Sequence, residues 1–270
     1  MQSTSFLKQI RLPAAFEVPP IDRPLLAAFT PARLGRRLEL RVARAADVRP
    51  IRDYLWNEFF GNAELLRTLQ AGKEDVRQEL TAPRLDSIAN GRTIVCLDEG
   101  RICGVAINRV VRIDGDLRAT EVRFPPDLAA RMAVQEGNQP AARAARAMSA
   151  WMTEVTPRLL PECAVYFHLD MLSVHTAYRG CGIGRNLWSE SLRMAARSGI
   201  ADVVVRCTAR ASNLLAESLG FAKLFEFSYA ELVADGRRLF PDGRAADGGR
   251  TIGIWHKRVA QRETNGKSDE

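Results

Sequence analysis

The chain has 270 residues, 46% of them hydrophobic and 26% charged, an ordinary balance for a globular protein of one large or two small domains. No apolar run approaches the ~20 residues needed to cross a bilayer, and no cleavage site follows an apolar N-terminal core, so neither a membrane span nor secretion is expected. The net charge of +7, from 39 basic and 32 acidic residues, suits anionic partners. The arginines are scattered and never interleaved with aromatics, which reads as a solvated surface rather than a nucleic-acid face.

Residues 1–37 hold five of the thirteen prolines and no sustained periodicity, so they read as an extension that is loosely ordered or drapes a domain over 38–260. Residues 1–16 lack acids and carry Lys8 and Arg11, a weak transit-peptide pattern; a cytoplasmic protein is expected, with a mitochondrial address as the alternative. "RRLELRVARA" alternates like a half-buried strand. Val48, Ile51, Leu55, Trp56 and Phe59 then fall at helical spacing, with Asp47 as N-cap. Helices are expected over about 63–71 and again in 73–90, interrupted at Pro83. "GRTIVCLDEGRICGVAINRVV" reads as a hairpin turning at Asp98-Glu99-Gly100-Arg101, and 112–140 as an excursion. "QPAARAARAMSAWMTEV" reads as a helix and "AVYFHLDMLSV" as a long strand. A helix with the stripe Ile183, Leu187, Trp188, Leu192 and Ala195 ends at Gly199. "DVVVRC" follows as a buried strand, "ASNLLAESLGF" as a helix stopped at Gly220, and 221–233 as a strand. A turn-rich loop over 234–249 precedes a last strand, "RTIGIWHKRV", and 261–270 reads as a polar tail. Two strand–helix–strand units with a hairpin argue an α/β class, a mixed, twisted central sheet of about seven strands with helices on both faces.

The five cysteines show no C-x-x-C pair and the three histidines no cluster, so reduced thiols and no metal site are expected. Cys207 reads as a small apolar core residue. The stretch that asks for chemistry is "LSVHTAYRGCGIGRNLWSESL", where Gly180, Gly182 and Gly184 sit between a strand and a helix, with Arg179 and Arg185 beside them. A strand entering a helix through glycines aims backbone N–H groups at one point, ready for an anion. The G-x-G-x-G spacing, late in the chain, does not fit a dinucleotide fingerprint. Taken alone the stretch is a phosphate cradle or a plain turn.

"LSVHTAYRGCGIGRNLWSESL" followed by "NLLAESLGF" resembles the GNAT superfamily of acetyl-CoA-dependent N-acetyltransferases over roughly residues 38–259. That family's R/Q-x-x-G-x-G/A motif, which binds the CoA pyrophosphate, is matched by Arg179, Gly182 and Gly184. The resemblance extends to the arylalkylamine branch, including insect dopamine-type enzymes, through "LSVHTAYRGCGIG", "CTARAS…LGF" and "FFGNAELL". It implies acetyl-CoA as co-substrate, a small-molecule amine as acceptor, and direct attack in a ternary complex. Polyamines or protein amines are the alternative acceptors, and a CoA-binding protein without turnover the alternative activity. No nucleic-acid or membrane partner is expected.

The resemblance also assigns residues. Residues 179–185 (Arg179, Gly180, Cys181, Gly182, Ile183, Gly184 and Arg185) hold the diphosphate, with Cys181 beside it rather than at the acetyl group. Leu172, Ser173 and Val174 pair with the pantetheine, and a backbone N–H there faces the developing oxyanion. An alkylamine, like Lys with a pKa near ~10.4, must lose a proton before it attacks. The family's glutamate base corresponds to Glu64 after a one-residue insertion, with Leu65 in place of proline. A second candidate is the His168/Asp170 pair, two apart on a strand and so on one face, with Leu172 and Val174 joining them. Vertebrate members carry two histidines there. Ala216 stands where many GNAT enzymes place a tyrosine that protonates the thiolate. Thr208 and Ser212, four apart at a helix start, are the hydroxyls expected to serve instead.

Overall fold

A computed structural model of the chain describes residues 10–70, 81–113, 128–135, 140–160, 162–234 and 236–260. Its first strand, β1 (Leu25–Phe29), lies inside the segment read as an extension and runs antiparallel to β2 (Leu38–Val42). Leu12, Phe16, Val18 and Leu34 are buried. A loosely ordered extension is therefore not what residues 10–37 form; they supply core and sheet edge. Prolines at 24 and 31 flank β1, and an edge strand tolerates such neighbours because only one side must pair. Arg23 Nε donates to Asp47 Oδ2 at 2.8 Å, both side chains being at most 5% exposed. The same oxygen accepts from the Arg44 amide at 2.9 Å. Asp47 thus spends its carboxylate on this anchor, and makes no cap bond to the next helix.

That helix, α1 (Val48–Tyr54), runs into a π-helical turn over Leu55–Phe59. α2 (Glu64–Thr68) comes next, and then α3 (Ala82–Ala89), in which Pro83 opens the helix rather than interrupting it. The earlier part of that expected helix, 73–80, lies outside the described residues. β3 (Thr93–Asp98) and β4 (Arg101–Arg112) form the expected hairpin. Of the excursion after it, α4 (Leu128–Ala133) is described, whereas 114–127 and 136–139 are not. α5 (Pro140–Arg158), β5 (Val165–Val174), α6 (Ile183–Arg197), β6 (Asp202–Cys207) and α7 (Arg210–Ser218) match the sequence reading closely. β7 (Ala222–Ser228) is shorter than expected, because the Ser228 side chain accepts from the Ala230 amide and starts a 3-10 turn. A small ribbon of β8 (Val233–Ala234) and β9 (Arg237–Arg238) sits in the turn-rich segment, and β10 (Thr251–Arg258) ends the described fold.

The main sheet has eight strands in the order β1-β2-β3-β4-β5-β6-β10-β7, one more than expected because β1 joins it. It is the mixed, twisted α/β sheet that the sequence predicts, antiparallel throughout except between β5 and β6. Helices cover both faces. Leu172 and Val174 point to α6, lying 3.5 and 3.9 Å from the place a Cβ on Gly184 would occupy. Between them, Ser173 turns the other way, to the Tyr54 hydroxyl of α1 at 3.5 Å.

Two irregularities in β5 shape the centre of the molecule. The parallel pairing with β6 covers only Phe167–Leu169 against Val203–Val205. Past those pairs the two strands separate as the arms of a fork, with Asp170 and Arg206 the first residue on each arm. The β4–β5 register also slips there, since Ile107 pairs with Met171 and Asn108 with Leu169. Asp170 is the extra residue of a bulge, which bends the strand and re-aims the side chains beyond it.

Candidate active site

The bulge corrects one expectation directly. His168 and Asp170 do share a face, but the extra residue resets the alternation, and Leu172 and Val174 point to the opposite face against α6. The channel wall expected from all four side chains does not form.

His168 and Asp170 instead enter a cluster of arginines. Asp170, 2% exposed, accepts from Arg84 Nε at 2.8 Å and Nη2 at 3.1 Å, and lies 2.7 Å from Arg109 Nε. His168 Nε2 accepts from Arg206 Nε at 3.1 Å, while Nδ1 sits 3.3 Å from Arg109 Nη2 and 3.8 Å from Asp170 Oδ1. Arg206 Nη1 also donates to the Thr153 hydroxyl of α5 at 2.6 Å. Burial, then the Arg206 charge, hold the His168 pKa well below its ordinary value, so the ring is neutral. Burial alone would raise the Asp170 pKa, yet the Arg84 and Arg109 guanidiniums hold it below the usual carboxylate range.

The glycine stretch has the geometry of an anion cradle. Gly180 and Gly182 have φ of +78° and +77°, a region that side-chain-bearing residues rarely adopt. Gly184 is needed for closeness instead, packed against Leu172 and Leu215 in the first turn of α6. Gly182 is the N-cap of this 15-residue helix, and no side chain caps it. The amides of Gly182, Ile183, Gly184 and Arg185 are thus the leading N–H groups of an uncapped helix, where negative charge is favoured. Cys181 is buried, and burial raises its thiol pKa against the opposing charge of Arg33. Arg179 is exposed beside the turn, whereas Arg185 is drawn away, donating to the Ser218 hydroxyl at 2.9 Å.

Sequence reasoning missed the residues that hold this turn from outside. Arg33 Nη1 donates to the Arg179 carbonyl at 3.2 Å and lies 3.4 Å from where a Gly180 Cβ would be. Arg36 donates to the Tyr178 hydroxyl at 2.7 Å, and Tyr178 in turn donates to the buried Asp98. Glu58, in the π-turn, reaches His175 Nε2 at 3.4 Å and accepts from the Thr176 amide at 3.4 Å. Arg33 and Arg36 belong to an arginine-rich stretch that reads as solvated surface, and nothing local distinguishes it. Glu58 could have been found as the one acid in the apolar run "YLWNEFF".

The remaining candidates lie outside this cluster. Glu64 opens α2 with its side chain 16% exposed and paired to the more exposed Arg67 at 3.3 Å. Thr208 follows β6 directly, and Tyr229 donates to its carbonyl. Thr208 precedes α7 rather than lying within it, so the expected helical spacing to Ser212 does not apply. The Ser212 hydroxyl donates to the Ala209 carbonyl at 2.8 Å and accepts from the Ala209 amide at 3.3 Å, closing the helix start. Ala216 and Cys207 are fully buried, and desolvation pushes the Cys207 thiol up to about 12. Among the described residues no group of three or more His, Cys, Asp or Glu could hold a metal ion, and no helix is long and apolar enough to cross a membrane.

A family model described as an acetyltransferase (GNAT) domain matches residues 155–241, from the end of α5 through the ribbon. No curated protein matches the chain. Among solved structures it is similar to a mosquito arylalkylamine N-acetyltransferase-like 5b, at 20% identity over 82% of this chain and 100% of that one, with a TM-score of 0.62. Arylalkylamine N-acetyltransferase 2 from Aedes aegypti matches at 17% identity, 83% and 99% coverage and a TM-score of 0.66. A Drosophila melanogaster polyamine N-acetyltransferase matches at 18% identity, 82% and 100% coverage and a TM-score of 0.58. The chain therefore has the fold of the GNAT acetyltransferases.

Proposed function

We propose that this protein transfers an acetyl group from acetyl-CoA to a primary amine of a small molecule, by direct attack within a ternary complex. One observation carries the reading: an uncapped helix start with two left-handed glycines stands beside a forked pair of strands. The amides from Gly182 to Arg185 receive the CoA diphosphate, with Arg179 and Arg33 adding positive charge and Gly180, Cys181 and Ile183 completing the turn. The pantetheine lies along Leu172–Val174 as the strand that β6 ceases to supply. A backbone N–H of that arm faces the oxyanion as the amine attacks, where a preorganised donor contributes most.

The proton leaves through Glu64 rather than through the His168/Asp170 pair. Asp170 is held by two guanidiniums and the His168 Nε2 lone pair by Arg206, so both are weak bases, whereas the Glu64 partner is an exposed arginine. The departing thiolate takes its hydrogen bond from Thr208, whose hydroxyl is bonded to none of the described residues, while Ser212 is committed to the helix start. An arylalkylamine acceptor draws support from "FFGNAELL" and "CTARAS…LGF" and from the named mosquito structures; the polyamine enzyme among them supports the alternative. The buried Ala216, where a tyrosine is common, favours one second reading, CoA binding without turnover.

Acetyl-CoA-dependent thiol release with a panel of primary amines tests the proposal, with Glu64→Ala run alongside. Turnover with at least one amine, lowered about a hundredfold or more in the variant as expected for loss of a general base, is the predicted result. CoA binding with no turnover on any amine would establish the second reading instead.

A further inference from the structure

One guanidinium at the fork has no carboxylate partner among the described residues. Arg206 stands first past the last β5–β6 pair, and its guanidinium contacts only neutral partners, the His168 ring and the Thr153 hydroxyl. No carboxylate among the described residues pairs with it. Arg109, across β5, reaches the Asp170 carboxylate that Arg84 also bonds. A partly buried guanidinium without a counter-ion loses hydration that nothing restores. Desolvation accordingly holds the Arg206 pKa below its ordinary value, although Asp170 pulls the other way.

We propose that the acceptor amine carries a carboxylate, and that Arg206 and Arg109 at the apex of the fork receive it. The inference rests on the acetyl-transfer reading above, which puts the thioester between the same two arms. A carboxylate fits a guanidinium with two parallel hydrogen bonds, gives Arg206 its missing counter-ion, and fixes the amine's distance from the thioester. Arg84 and Arg109 keep side-chain exposures of 14% and 22%, so the cluster is reachable from solvent. A dication meets the reverse situation, because its second ammonium would face guanidiniums. The geometry therefore selects amino acids and ω-amino acids over plain amines and polyamines.

Matched acceptors test this on the wild-type protein: tyrosine against tyramine, phenylalanine against 2-phenylethylamine, and 4-aminobutyrate against putrescine. The carboxylate-bearing member should have the higher kcat/KM by at least about tenfold, the range of one charge-assisted pair. In Arg206→Gln that preference should collapse toward parity, mainly through a higher KM for the acid. Turnover of the plain amines equal to or faster than the acids in the wild type overturns the inference and leaves the acetyl-transfer reading intact. CoA binding with no acetylation of any member sinks both. Should Arg206→Gln fail to fold, the wild-type comparison decides alone.

Discussion

At the scale of single residues, the cluster around His168 gives the chain a pH response of definite sign. In the unfolded chain a histidine titrates near ~6.5, while the buried native ring stays neutral well below that. Between those limits the unfolded state binds the extra proton, so stability is complete above about pH 6.5 and falls as the solution is acidified. Asp170, with its pKa held low, adds a loss of the same sign only as the unfolded aspartate protonates near ~3.9, below the histidine range. His175 is also lowered, by desolvation that Glu58 partly offsets, and contributes with the same sign. Each such histidine removes up to about 1.4 kcal/mol per pH unit. Urea unfolding of wild type and His168→Gln between about pH 7 and about pH 5 should show the shallower decline in the variant. Parallel profiles would mean that the ring takes up its proton in the folded protein as readily as in the unfolded chain.

At the scale of elements, what could be read depended on how local the cause was. "DVVVRC" carries an unbroken apolar centre, Val203–Val205, because the strand lies between β5 and β10, and it was legible to the residue. β1 was not, because "LLAAF" pairs on one side only and its burial does not alternate. The bulge at Asp170 was equally hidden. It depends on the register of β4 against β5, which no single strand encodes, and missing it put Leu172 and Val174 on the wrong face. The anchor between the segment before β1 and the start of α1 is another long-range fact, joining positions 24 residues apart. Asp47→Ala leaves the buried Arg23 charge without its carboxylate, a change that costs about 3–5 kcal/mol. Differential scanning calorimetry should find a large fall in Tm; a shift within about 2 °C would show that water already serves that charge.

At the scale of the whole molecule, the class of fold and the anion cradle were both present in the sequence, because each is written in contiguous residues. Glycines at 180, 182 and 184 lie between a strand and an amphipathic helix, and those elements formed where their periodicity put them. The rest of the candidate site is assembled from distant segments. Arg33 reaches the glycine turn from the N-terminal stretch, while Arg84 from α3, Arg109 from β4 and Arg206 from β6 meet at His168 and Asp170, and only the fold brings each to its partners. The proposed function depends on that assembly, since in it the fork receives the thioester only if the cradle holds the carrier's diphosphate. Calorimetric titration of CoA into wild type and Gly182→Val, with folding checked by circular dichroism, tests this most directly. The wild type should bind, and the variant, whose side chain is disfavoured at φ +77°, should bind at least about tenfold more weakly, a loss near 1.4 kcal/mol. A folded variant with undiminished affinity, or a wild type that ignores CoA, would contradict the account.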